Sequence, residues 1–150
     1  MNTFDSTVSA LFHPAKGILA ADESPKTLQK RFDKIGLVSN PETNLAYRKM
    51  FLTTPGIEEF LSGVILYDET TRQSIDGLLI PKYLESRGIL PGIKVDQGLT
   101  DLPNCPGEKI TKGLEGLEER LREYKAMGAK FTKWRAVAMI GKGIPTKAGL

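Results

Sequence analysis

Lys94 and Asp96 stand two apart in Gly92-Ile93-Lys94-Val95-Asp96-Gln97-Gly98, an ammonium and a carboxylate at the close of a short run with β-branched residues at 93 and 95. Gly88 and Pro91 precede the run and Gly98 stops it, the pattern of a short strand with a hard end. Side chains alternate along a strand, so Lys94 and Asp96 share one face, while Ile93 and Val95 share the other. Gln97 then points away from the charged pair. Buried charges need partners, yet such a pair suits a catalytic rim where the C-terminal ends of parallel strands meet. Taken alone, a solvated edge strand is the simpler reading, because charged residues are mostly exposed.

The pattern repeats. Gly17-Ile18-Leu19-Ala20-Ala21 runs into Asp22-Glu23, and Gly63-Val64-Ile65-Leu66-Tyr67 runs into Asp68-Glu69. In the apolar stretch 129–140, Lys133 and Arg135 fall on one face. Four strand ends carrying Asp22, Glu69, Lys94 with Asp96, and Lys133 with Arg135 favour one cooperative site over four accidents. Glu69 reads equally well as structural. Gly141-Lys142-Gly143 lacks the spacing of a phosphate-binding P-loop and reads as a plain loop.

Helical segments separate these strands. Phe4, Val8, Leu11 and Phe12 recur at helical spacing in a leading arm over residues 1–16, which Pro14 closes. Ser24-Pro25 opens a second helix, serine as N-cap and proline at the first helical position, which runs to Gly36. A third starts at Ser39-Asn40-Pro41-Glu42 and stops before Pro55. A short helix follows over residues 81–86, then a loop over 99–107. Thr111 or Lys112 opens a last helix with Leu114, Leu117, Leu121, Tyr124 and Met127 on one face and Gly128 as its C-cap. Strand and helix alternate four times, which predicts an α/β fold with a parallel sheet and right-handed crossovers. Periodicity does not choose between an open doubly wound sheet and part of a barrel. A complete (β/α)8 barrel takes about 250 residues, so 150 residues correspond to about half of one.

Composition narrows the function classes. A net charge of +3 is interspersed rather than clustered and aromatics are 7%, a poor footprint for nucleic acid and compatible with an anionic small substrate. Cys105 and His13 are the only cysteine and histidine, which leaves no disulfide, thiol or histidine metal site and disfavours a Ser-His-Asp triad. No apolar run reaches the roughly 18 residues of a membrane span. The first six residues lack the basic and apolar regions of a signal peptide, so the cytoplasm is the expected compartment.

Five segments carry a resemblance in order and at matching spacing: Gly17 to Ser24, Gly63 to Thr70, Gly92 to Gly98, Gly113-Leu114-Glu115-Gly116-Leu117, and Lys133-Trp134-Arg135. Together with Tyr47-Arg48 and Leu52-Thr53-Thr54 they resemble the N-terminal part of class I fructose-bisphosphate aldolases, over essentially all of residues 12–145. The resemblance implies the TIM (β/α)8 barrel family, with residues 1–150 as about the first four β/α units and the C-terminal half absent. It implies reversible cleavage of fructose 1,6-bisphosphate to dihydroxyacetone phosphate and glyceraldehyde 3-phosphate through a lysine Schiff base, without metal or cofactor. By position, Asp22 would assist proton transfer and Lys133 would polarise the reacting centre. Lys94 and Arg135 would hold phosphate and hydroxyl groups, and Ser24 and Thr27 would belong to the phosphate-binding segment. A helix N-terminus attracts anions, which agrees with the last assignment. Gln97 stands where many relatives have lysine. The family's Schiff-base lysine and a catalytic glutamate would lie beyond this chain.

The implied partner is a phosphorylated sugar, with no nucleic acid and no membrane, and a homo-oligomer at full length. Two other readings stand beside this one: a non-catalytic phosphosugar-binding half-barrel, and a lyase using Lys133 or Lys94 as its own nucleophile. A half-barrel exposes two strand edges, so association in isolation is expected.

Overall fold

The structure is a computed structural model and describes residues 3–150. Along the chain run α1 (Thr3–Leu11), β1 (Gly17–Ala21), α2 (Pro25–Phe32), α3 (Pro41–Leu52) and β2 (Leu61–Leu66). Next come α4 (Asp68–Thr71), β3 (Ser74–Ile75), β4 (Leu78–Leu79), α5 (Ile80–Ser86) and β5 (Leu90–Lys94). The last are β6 (Leu99–Asp101), β7 (Lys109–Thr111), α6 (Leu117–Met127) and β8 (Phe131–Lys133).

Strands β1, β2, β5 and β8 pair in that order, all parallel, as the strand–helix alternation predicts. Ala21 pairs with Leu66, Leu66 with Ile93, and Ile93 with Thr132. One residue further along lie Asp22, Tyr67, Lys94 and Lys133, so register alone puts these four in a row on the opposite face.

The two faces divide the labour. Ala21, Val64 and Leu66 turn outward to Leu52 of α3, Ile80 and Leu84 of α5, and Ile89, forming the main core. Ile93 and Val95 pack on Tyr124 of α6 in a second cluster. Each fully buried Leu or Ile contributes roughly 1.5–3 kcal/mol by leaving water. The other face carries the strand-end row and, below it, Gly63 and Gly92. A side chain at Gly92 would collide with the Phe131 ring, 2.3 Å from the nearest ring atom, so glycine there makes room for the aromatic.

That inner face is concave. Flat parallel strands lie about 4.8 Å apart, so β1 and β8, three spacings apart, would be roughly 14 Å from each other. Lys133 Nζ nevertheless reaches Asp22 Oδ2 at 2.5 Å. The sheet curls so that its outer strands approach across the inner face, the curvature of a barrel wall, while β1 and β8 remain edges.

Several expectations need correction. The leading helix ends at Leu11, and of its apolar stripe only Leu11 is buried; Phe4 and Phe12 are exposed. The first two residues of the expected arm lie outside the described residues. Neither Thr111 nor Lys112 opens a helix: Thr111 closes Lys109–Thr111, one arm of an antiparallel hairpin with Leu99–Asp101. The helix waits until Leu117, because Gly113 and Gly116 take left-handed backbone angles (φ 121° and 59°) that interrupt helical winding. The strand expected over 129–140 is paired only over Phe131–Lys133, because β5 ends opposite it.

Candidate functional site

The row of strand ends opens onto a cleft of about 700 Å³ lined by Ser24, Thr27, Tyr67, Lys94, Asp96 and Arg135, among others. Lys94 Nζ donates to Asp96 Oδ1 and to its backbone oxygen, both at 2.8 Å. The Gly98 N–H adds a third bond to the same carboxylate oxygen, at 3.2 Å. Burial works against the Asp96 carboxylate, but these bonds and the charges of Lys94 and Arg135 hold its carboxyl below the usual carboxylate range. Gln97 also lines the cleft, contrary to strict alternation, because β5 has ended at Lys94 and the chain turns toward Gly98.

Ser24 caps α2 with an extended backbone, its hydroxyl accepting from the Thr27 N–H at 3.4 Å, and Pro25 takes the first helical position. The Ser24 and Thr27 hydroxyls lie 3.2 Å apart at that helix start. The cap and its proline were legible in the residues themselves, since both act within one turn.

Asp22 and Lys133 meet each other in the same strand-end row as Tyr67 and Lys94. Lys133 and Arg135, which the two-residue period puts on one face, are not buried together. Arg135 is exposed, and Lys133 takes a carboxylate partner instead. Among the described residues the Arg135 side chain has no hydrogen bond or ion pair; it lines the cleft, where its charge acts on Asp96. Thr111 of the hairpin donates to the Arg135 backbone oxygen at 2.8 Å, so β7 steadies this arginine.

Helix α3 is the positioning element that composition did not reveal. Its capping box at Asn40 and Thr43 fixes the start, and Asn44, Arg48 and Leu52, each four apart, form its buried stripe. Asn44 donates to Glu69 at 2.9 Å, tying α3 to the start of α4. Arg48, 1% exposed, bonds both the Glu23 carboxylate and the Glu23 backbone oxygen, the latter at 2.9 Å. Arg31 bonds the other Glu23 oxygen. Burial raises the Glu23 carboxyl, but a backbone N–H and the two guanidiniums bring it below its ordinary value. The clamp holds the turn that carries Asp22 and Ser24.

On the far side, Arg120 of α6 donates to the Val95 oxygen at 3.0 Å and to the Gly113 oxygen, tying the end of β5 to the segment before α6. Tyr67 was not among the expected site residues, although register puts it beside Asp22 and Lys94. Burial, then the charges of Asp68 and Glu69, push its hydroxyl upward. Among the described residues no group of three or more His, Cys, Asp or Glu is arranged for a metal ion, and no helix is long and apolar enough to cross a membrane.

Comparison with known proteins gives one answer. The family model described as glycolytic fructose-bisphosphate aldolase class-I matches residues 3–150. A probable fructose-bisphosphate aldolase class 1 of Xylella fastidiosa is 50% identical over 141 residues, covering 93% of this chain and 42% of that protein. Fructose-bisphosphate aldolase 1 of Toxoplasma gondii is 50% identical over 141 residues, covering 91% and 39%. The solved fructose-bisphosphate aldolase of Plasmodium falciparum, in complex with TRAP and a small-molecule inhibitor, superposes with a TM-score of 0.92 at 43% identity, covering 98% of this chain and 43% of that one. The chain thus spans less than half the length of these relatives.

Proposed function

This chain belongs to the class-I fructose-bisphosphate aldolase family, and from that premise we propose that it supplies the first four β/α units of an aldolase barrel. The parent reaction is reversible cleavage of fructose 1,6-bisphosphate to dihydroxyacetone phosphate and glyceraldehyde 3-phosphate, through an imine on a lysine outside these residues. The observation that carries this reading is the Lys133–Asp22 contact across the curled sheet, beside Lys94 and Asp96. A lysine and a carboxylate in contact at a strand-end rim can pass a proton and stabilise charge developing on a substrate oxygen beside them. Asp22 takes the proton-transfer role and Lys133 the polarising one. Ser24 and Thr27 at the α2 start, with Lys94 and Arg135, grip phosphate and hydroxyl groups.

Residues 1–150 are then one half of a barrel domain, working without metal or cofactor on a phosphorylated sugar in the cytoplasm, within a homo-oligomer of the full-length protein. The exposed edges β1 and β8 suit association in isolation.

Borohydride trapping with fructose 1,6-bisphosphate, read by intact mass, tests the division of labour. The expected result is an unmodified chain of 16.5 kDa, the nucleophile lying outside these residues. A single reduced adduct on this chain would overturn it by putting the nucleophile within these 150 residues.

A further inference from the structure

Three of the four tyrosines spend their hydroxyls on the fold. Tyr47 accepts from Arg31 at 2.7 Å, Tyr83 accepts from Arg87 at 3.1 Å, and Tyr124 donates to Asp68 at 2.9 Å. The fourth, Tyr67, is only partly buried; its hydroxyl has no hydrogen bond among the described residues and is not sealed from solvent. Tyr67 follows β2 by one residue with an extended backbone (φ −92°, ψ 156°), so the alternation of the strand carries through to it. Leu66 turns outward into the main core, and Tyr67 turns inward between Asp22 and Lys94, where it lines the cleft with Ser24 and Thr27.

A hydroxyl at that place has restricted uses. Burial, then the charges of Asp68 and Glu69, hold the phenol above its ordinary value, so at neutral pH it is an O–H and a donor. Proton transfer is a poor use for it, because an acid or base working near neutrality needs a value near the working pH. A donor without charge still binds an anion, and hydrogen bonds to ionised groups are roughly twice as strong as neutral ones. The two acids beside it have their own partners, Asp68 in Arg72 and Tyr124, Glu69 in Asn44. The Ser24 and Thr27 hydroxyls bond each other at 3.2 Å, which leaves one O–H of the pair for a ligand. A phosphate seated there is short of donors unless another element supplies one.

We propose that Tyr67 is a phosphate-binding residue: its phenolic O–H donates to a phosphate oxygen of a sugar phosphate seated against Ser24 and Thr27 at the α2 start. The assignment rests on the phosphosugar reading and extends it to a residue that neither charge nor motif singles out. A phenol holds one donor at a fixed point on a rigid ring with only two rotatable bonds. The Lys94 ammonium, its neighbour in the strand-end row, is already held by the Asp96 carboxylate and backbone oxygen. The end of β2 thereby contributes a ligand contact to the rim, as the ends of β1 and β5 do.

The test titrates wild type and Tyr67→Phe with two probes by NMR on Cζ-labelled tyrosine: fructose 1,6-bisphosphate, and hexane-1,6-diol bisphosphate, which has the phosphates without the sugar hydroxyls. Both affinities should fall about five- to tenfold in the variant, the loss of one hydrogen bond to a charged group at a partly solvated site. The urea midpoint should stay unchanged, because the deleted hydroxyl bonds nothing in the fold. In wild type the Tyr67 Cζ signal should move with saturation by either probe, while Tyr83→Phe leaves both affinities as they were. Should Tyr67→Phe fold poorly, the wild-type Cζ signal decides by itself. An unchanged affinity in Tyr67→Phe, or an unmoved Tyr67 signal, overturns the inference and leaves the phosphosugar reading intact. So does an affinity loss that comes only with a lowered midpoint. A loss confined to the sugar compound, or a wild-type chain that binds only that compound, would assign the hydroxyl to sugar groups and overturn it likewise. Failure of both probes to bind the wild-type chain overturns both readings.

Discussion

Two lysine–carboxylate pairs occupy one rim and are built on opposite principles. Lys94 and Asp96 are two residues apart, one closing β5 and the other just past its end, and the Asp96 side chain is fully buried. Lys133 and Asp22 are 111 residues apart, on the two edge strands, with Lys133 one-third exposed. The first pair is a property of a local segment and survives as long as β5 keeps its extended backbone. The second exists only while the whole sheet is curled. A protein that needs fixed charge at one point and a movable proton at another is well served by this contrast: local pairs are rigid, and pairs across a sheet answer to everything between them.

The difference is easiest to break at α3. Arg48→Ala leaves Glu23 without its buried partner and should cost about 3–5 kcal/mol in urea unfolding. The loosened Asp22 turn should move away from Lys133 while Lys94–Asp96 stays in place, a separation readable from side-chain NMR shifts of the two lysines. Equal disturbance of both pairs would contradict the local-versus-distant distinction.

Gly92→Ala attacks the curl from inside. The added carbon meets the Phe131 ring at 2.3 Å, and overpacking of this kind costs about 1–3 kcal/mol. Phe131 and Lys133 share a face of β8, so the expected accompaniment is weaker Lys133–Asp22 coupling. A fully accommodated methyl, with unfolding unchanged, would show the inner face to be looser than drawn here.

Double-mutant cycles sharpen the comparison. Asp96→Asn with Lys94→Met should give a coupling of about 2 kcal/mol, as for a charged hydrogen bond out of water. Asp22→Asn with Lys133→Met should give about 1 kcal/mol or less, since one partner is partly in solvent. A reversed order would mean that the distant pair, not the local one, is the rigid element.

The smallest effect is in pH. Asp96 has its carboxyl lowered in the folded chain, so it stabilises the fold above the ordinary aspartate value of about 3.9. That stability is lost as pH falls below about 4 through the lowered folded value. Unfolding midpoints of wild type and Asp96→Asn should therefore converge on acidification below pH ~4 and run parallel above it. Convergence at neutral pH would point to another group.

Much of the frame was legible from neighbours in sequence. The Ser24 cap with Pro25, the Asn40 start of α3, and the β5 segment with its hard end depend on contacts within about one turn or two residues. The β6–β7 hairpin was missed because a Pro-, Asn- and Asp-rich stretch reads as loop, and its pairing joins residues across a turn. The short β8 was overextended because apolar pattern marks willingness to form a strand, while length depends on the neighbour available. Arg48 entered the sequence reading only within the Tyr47-Arg48 pair of the resemblance; its spacing with Asn44 and Leu52 is the local sign that it faces inward.

By itself, the sequence determined the alternation of strand and helix, the acids and bases at the strand ends, and the local Lys94–Asp96 pairing, because a strand's two-residue period specifies which side chains share a face. The curl of the sheet, the meeting of Lys133 with Asp22 and the burial of Arg48 against Glu23 were decided by tertiary structure alone. Each joins segments that only register and packing bring together, and no local period encodes a distance across four strands.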